Sequence, residues 1–171
     1  MAANSRIDDL RRRVEQDPAS IAFAQLAEEY RRVGQFRYAV TTCRAGLALH
    51  PSYLSARVTL GRSLLALEHL DEAEAELGIV LATAPDNLAA TRALAEVYRL
   101  QGRRADAVAC YSAALTLAPN DPDLERQVQE LAALPPLPPA PDPAQLRATA
   151  TLATLEGWLE ALDAARADRD A

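Results

Sequence analysis

The sequence predicts an all-α protein made of stacked helical hairpins, and three observations predict it. Hydrophobic residues make up 50% of the 171 residues and aromatics only 5%. The apolar content is therefore mostly Ala and Leu, the strongest helix formers, where a β-sandwich would need more branched and aromatic residues. Pro51, Pro85 and Pro119 stand 34 residues apart, and Pro18 falls one residue short of the same beat. The blocks that these prolines close, 18–51, 52–85 and 86–119, also carry large and small residues in the same order.

Residues 5–16 come first and read as a short helix. Ser5 is its expected N-cap, with Asp8 three residues on, and Ile7, Leu10 and Val14 share one face. This helix runs into Asp17-Pro18 as the second helix of an incomplete unit would. Each of the three blocks then opens with a large, a small and another large residue. These are Leu26, Ala27 and Tyr30, then Leu60, Gly61 and Leu64, then Leu94, Ala95 and Tyr98. A turn follows at Gly34, Glu68 or Gly102, where a left-handed residue ends the first helix. The second helix carries a small residue at Ala39, Ala73 or Ala107 and a larger one at Cys43, Leu77 or Tyr111. Gly46, Val80 or Ala114 comes next, Val80 being the large exception. Small residues let two helix backbones approach while large ones fill the gaps between turns. The closing proline stops the second helix.

After the blocks, Asp121-Pro122 starts a capping helix over 122–134, with Pro in its first turn. Residues 135–143, PPLPPAPDP, read as a Pro-rich linker extending about 3.1 Å per residue. Its PxxP spacing has no basic neighbour, so it reads as a spacer before an SH3-type ligand. Residues 144–171 read as a C-terminal amphipathic helix. Leu152, Leu155, Leu159 and Leu162 form its stripe, flanked by Trp158. A lone helix of this kind is marginal in water. The stripe is expected to dock on the chain's own repeats, on a second copy, or on another protein.

The 34-residue period and the in-phase pattern resemble the tetratricopeptide repeat family. The resemblance covers residues 18–119. It departs from the family at Phe23, Arg57 and Thr91, which replace the usual early Trp, and at Glu68, which replaces a turn Gly. It implies an α-solenoid of helix-turn-helix repeats, with three such motifs and their capping helices in residues 1–134. It also implies that the first helix of each repeat lines a concave face. By the family's pattern the groove positions are Ala24, Glu28 and Arg31, then Ser55, Val58, Arg62 and Leu65, then Ala89, Arg92, Glu96 and Arg99. The Lys, Asn and Arg clamp that some members close on chaperone tails would fall on Ala24, Glu28, Thr59, Ala89 and Ala93, so that clamp is absent.

Charge and chemistry narrow the function. Net charge is −6, and all 18 basic residues are Arg. An acidic chain is repelled by phosphates and by anionic membrane surfaces, so neither nucleic-acid binding nor membrane insertion is expected. The opening residues, MAANSRIDDL, hold no apolar stretch, which points to a cytoplasmic protein. His50 and His69 read as solvated turn residues, and Cys43 as a packing residue. None has metal-ligand spacing. The acids Asp71, Glu72, Glu74 and Glu76 lack a calcium-loop pattern and read as a helix start and a solvated face. The run Arg11-Arg12-Arg13 is balanced by nearby acids. The expectation is a non-catalytic scaffold or adaptor with no cofactor and no metal, binding a partner peptide or helix in its groove, with its last helix docking in cis or self-associating with a second copy. The alternative is a regulatory or assembly subunit of a larger enzyme or of a secretion- or pilus-type complex, contacting it through that helix.

Overall fold

The computed structural model describes residues 2–133. Among these residues it contains eight helices and no strand: α1 (Ala2–Gln16), α2 (Ala22–Arg32), α3 (Phe36–Leu49), α4 (Leu54–Ala66), α5 (Leu70–Thr83), α6 (Leu88–Leu100), α7 (Arg104–Leu117) and α8 (Pro122–Ala133). Helices α2 and α3, α4 and α5, and α6 and α7 form the three expected hairpins, with α1 packed on α2 and α8 on α7. Each first helix also touches the next, α2 against α4 and α4 against α6. The Pro-rich linker and the Leu152–Leu162 stripe expected in residues 135–171 lie outside the described residues.

The small positions do what their size suggests. Ala27, Ala39, Ala73, Ala95 and Ala107 are completely buried, and Gly61 is buried with them. A methyl group on Gly61 would lie 2.6 Å from Leu77 Cγ, and one on Gly46 only 2.0 Å from Phe23 Cδ2. Around these contacts Phe23, Cys43, Leu64, Leu77, Val80 and Val97 build one core that runs through all three hairpins. Val80, the large exception, is fully buried in it. The caps seal the two ends. Ile7 and Leu10 of α1 pack with Leu26 and Tyr30, and Leu124 and Leu131 of α8 pack with Tyr111 and Ala114.

The turns repeat as closely as the helices. The amides of Gln35, His69 and Arg103 donate to the carbonyls of Tyr30, Leu64 and Tyr98 at 2.8, 3.0 and 2.9 Å. Each bond reaches back five residues and closes a first helix in a Schellman-type turn. The left-handed residue inside it is Gly34 (φ 77°), Glu68 (φ 60°) or Gly102 (φ 73°). The second helices end at His50, Ala84 and Ala118, with ψ of 67°, 82° and 75°. Each precedes a proline, whose ring pushes the residue before it out of the helical region.

The three replacements of the family Trp each find a different use. Phe23 is buried, its ring stacked on His50 at 5.9 Å. Arg57 donates to the Pro51 carbonyl and pairs with Glu76 at 2.6 Å. Thr91 donates to the Asn87 carbonyl at 3.0 Å.

Three expectations need correction. Helix α1 begins at Ala2, so Ser5 is inside it and caps nothing; high-propensity Ala extends a helix at little cost. Residue 134, the expected end of the capping helix, lies outside the described residues, and α8 is described to Ala133. His50 is half-buried, and its Nε2 lies 2.6 Å from the Ala19 carbonyl, so it ties a turn to the first repeat instead of standing in solvent. The acids of α5 are more than a solvated face: Glu72 pairs with Arg44, Glu74 with Arg103 and Glu76 with Arg57.

Two stability predictions follow from these contacts. Gly46→Ala should destabilise by about 1–3 kcal/mol, because Phe23 has nowhere to move; chemical denaturation measures it, and unchanged stability would disprove the close contact. Glu68→Gly should stabilise by about 0.5–1 kcal/mol, the left-handed strain outweighing the entropy of the added Gly; a lower melting temperature would count against it.

Candidate functional site

Residues three apart on a helix share a face, so Glu28 and Arg31 of α2, Arg62 and Leu65 of α4, and Glu96 and Arg99 of α6 recur at equivalent places in successive hairpins. The contacts of α2 with α4 and of α4 with α6 bring these faces side by side. They enclose an open groove of about 860 Å³, lined by Arg31, Arg62, Leu65, Ala89, Arg92 and Glu96 among others. A second recess beside it is lined by Ala24, Glu28, Ser55, Thr59 and Arg62. Arg99 lines a third, between Glu96 and α8.

The structure thus places most of the family-pattern residues on one surface, with one exception. Val58 is buried in the core, and it offers the groove little side-chain surface. Phe36, Ala66, Leu88 and Leu100 also line the groove without having been expected there, and Ala93, named as a clamp position, joins them. Ala66 and Leu100 fall one residue past the last pattern position of their repeats, Leu65 and Arg99, and a helical turn carries both to the same side. Leu88 stands one turn before Arg92 on α6, a signal readable from spacing alone.

The charges follow the repeat but break it in the middle. In the first hairpin Arg31 grips Glu28 with two hydrogen bonds of 2.9 and 2.7 Å. In the third, Arg99 grips Glu96 in the same way at 2.8 and 2.5 Å, and Tyr111 donates to Glu96 at 2.7 Å. The Arg31 bonds hold the Glu28 carboxyl below its ordinary range against the effect of burial, helped by Thr59 and Arg62. Arg99 and Tyr111 do the same for Glu96. In the middle hairpin an arginine, Arg62, stands where the others have glutamate, and Leu65 stands where they have arginine. Arg92 pairs with Asp121 at 2.5 Å. Asp121 also accepts from the amides of Asp123 and Leu124, which caps α8.

Nothing in the groove is arranged as a nucleophile with its base. Cys43 is buried in the core, and burial, then Glu28 and Glu76, push its thiol up to about 12. Among the described residues no group of three or more His, Cys, Asp or Glu is placed to hold a metal ion, and no helix is long and apolar enough to cross a membrane. The surface can do what an open, partly apolar, arginine-bearing groove does, which is to bind.

Comparison with known proteins agrees with this architecture. Residues 58–122 match the tetratricopeptide repeat family model. No curated protein sequence matches the chain. Among solved structures, TTC0263, a thermophilic TPR protein of Thermus thermophilus, is 27% identical with a TM-score of 0.65, covering 78% of this chain and 74% of that one. MamA from Desulfovibrio magneticus RS-1 is 19% identical with a TM-score of 0.71, covering 75% of this chain and 73% of its own. The first TPR of Spaghetti (RPAP3), bound to an HSP90 peptide, is 14% identical with a TM-score of 0.64, covering 67% of this chain and 91% of its own. With the 34-residue hairpins, the shared turn geometry and these likenesses in view, residues 58–122 match the tetratricopeptide repeat and the described helices share the fold of solved TPR proteins.

Proposed function

We propose that the protein is a non-catalytic interaction scaffold that holds a peptide or helix of a partner protein in the groove formed by α2, α4 and α6. The observation that carries this reading is the groove itself. It combines apolar residues, Leu65, Leu88 and Ala93, with the arginines Arg31, Arg62 and Arg92, and it stays open among the described residues. Aromatic or aliphatic contact area plus a few polar groups is the usual make-up of a protein-binding surface. The same fold in Spaghetti (RPAP3) is seen with an HSP90 peptide bound, which supports a peptide-holding role for this groove. It does not carry over that peptide, because Ala24, Glu28, Thr59, Ala89 and Ala93 lack the clamp's side chains.

Filling the groove tests the proposal without altering its charge. Ala66 and Ala89 line it and are exposed, so Ala66→Trp with Ala89→Trp obstructs it and leaves the core alone. Affinity capture followed by mass spectrometry should show the partner recovered by the wild type falling about tenfold or more with this double variant. Ala45→Trp, at an exposed site on α3, should capture it normally. Equal recovery by all three chains would disprove the groove as the binding site.

A further inference from the structure

The groove has a charge that its own repeats leave unanswered. Arg62 is half-buried, and among the described residues it closes no hydrogen bond or ion pair. Glu28, which lines a recess with Arg62, is already held by both Arg31 bonds and accepts from Thr59 at 3.2 Å. Burial, then Arg31, and also Arg92, pull Arg62 below the ordinary arginine value, with Glu28 opposing them. Arg13 and Arg37 lack side-chain partners among the described residues too, but Arg13 and Arg37 are exposed, where water serves a guanidinium well. A half-buried guanidinium between two others has lost part of its water and gained repulsion, so an added anion is favoured there.

The neighbours define which anion. Arg31 is committed to Glu28, and Arg92 to Asp121. One planar fork is left free, which matches one carboxylate, whereas a phosphate dianion would want several converging donors. Apolar side chains share the groove with these committed charges: Leu65 lies one turn from Arg62 on α4, and Leu88, Ala89 and Leu100 of α6 line the same groove. Leu100 is 45% exposed. The chain is acidic overall, at −6, so this is a local cationic point and not part of a polyanion track.

We infer that the groove selects an acidic amphipathic segment of another protein, with one Asp or Glu carboxylate forked by Arg62 and the adjoining apolar side chains laid on Leu65 and Leu88. This rests on the groove reading above and gives its ligand a chemistry. It uses the centre of the middle repeat, not the places where the chaperone-tail clamp would fall.

The experiment uses the full chain and a fluorescein-labelled peptide of repeating Ala-Leu-Glu, with an Ala-Leu-Gln twin and a twin carrying phosphoserine for Glu. Fluorescence anisotropy should show the Glu peptide binding about tenfold more tightly than the Gln twin, the scale of one charge-assisted hydrogen-bonded contact. Arg62→Gln should abolish that difference. Arg37→Gln, which removes the same charge from an exposed site, should leave it intact. Equal affinity for the Glu and Gln peptides overturns the inference, and the wild-type comparison alone suffices to read this. An equal loss in Arg37→Gln overturns it in favour of general charge, and tighter binding of the phosphoserine twin in favour of a phosphate. A chain that takes up neither peptide, its groove held by a second copy or by its own residues 144–171, overturns it too. In each case the groove reading is judged separately, because the tryptophan variants block the groove whatever the charge of its ligand.

Discussion

The structure depends on the close approach of two helix backbones within each hairpin. Fully buried small residues, Ala27 and Ala39, Gly61 and Ala73, Ala95 and Ala107, hold the helices near enough for large residues to interlock between turns. Where a side chain would intrude, as a methyl on Gly46 would against Phe23, the hairpin must open. An opened hairpin would displace the first helix from its neighbour and spread the groove. The identity of each hairpin thus underlies the regular spacing of α2, α4 and α6, and the groove inherits that spacing. One hairpin buries too little apolar surface to stand alone, and the common core through all three shows how stacking meets that need.

Regular spacing turns small sequence differences between repeats into an electrostatic pattern. Repeats one and three carry the same Glu–Arg pair on the same helical face, so the two ends of the groove neutralise themselves. The middle repeat places Arg62 and Leu65 at those positions and leaves a positive, partly apolar centre. Asp121 joins this pattern to the end of the stack, because one carboxylate both caps α8 and pairs with Arg92. The groove's charge and the seating of the capping helix are therefore coupled. A substitution at Arg92 would disturb both, which makes Arg62 the cleaner residue through which to read the groove.

Much of this was legible in the chain before folding, for physical reasons that differ between features. The helix boundaries could be read because proline and left-handed turn residues act locally, as the matching geometries at His50, Ala84 and Ala118 show. Glu68 was recognisable as a misfit to a glycine position, and its φ of 60° shows that the turn is kept despite the side chain. The groove face could be read because a repeat carries its periodicity into space. What escaped were contacts between residues about one repeat apart, such as Arg44 with Glu72 and Arg92 with Asp121, whose separation depends on the rise and twist of the stack. His50 escaped for the same reason, since the Ala19 carbonyl reaches it from the preceding turn. Val58 was misplaced because a pattern shared with Ala24 and Arg92 says which way a position points, not how far a short apolar side chain sinks toward the core.

The central claim is that the protein works through the face shared by α2, α4 and α6. Hydrogen–deuterium exchange of the full chain, with and without its captured partner, tests it most directly. The account predicts added protection in these three helices, centred on the segment around Arg62 of α4, with α3, α5 and α7 unchanged. Protection confined to α3, α5 and α7, or to residues 135–171, would contradict it.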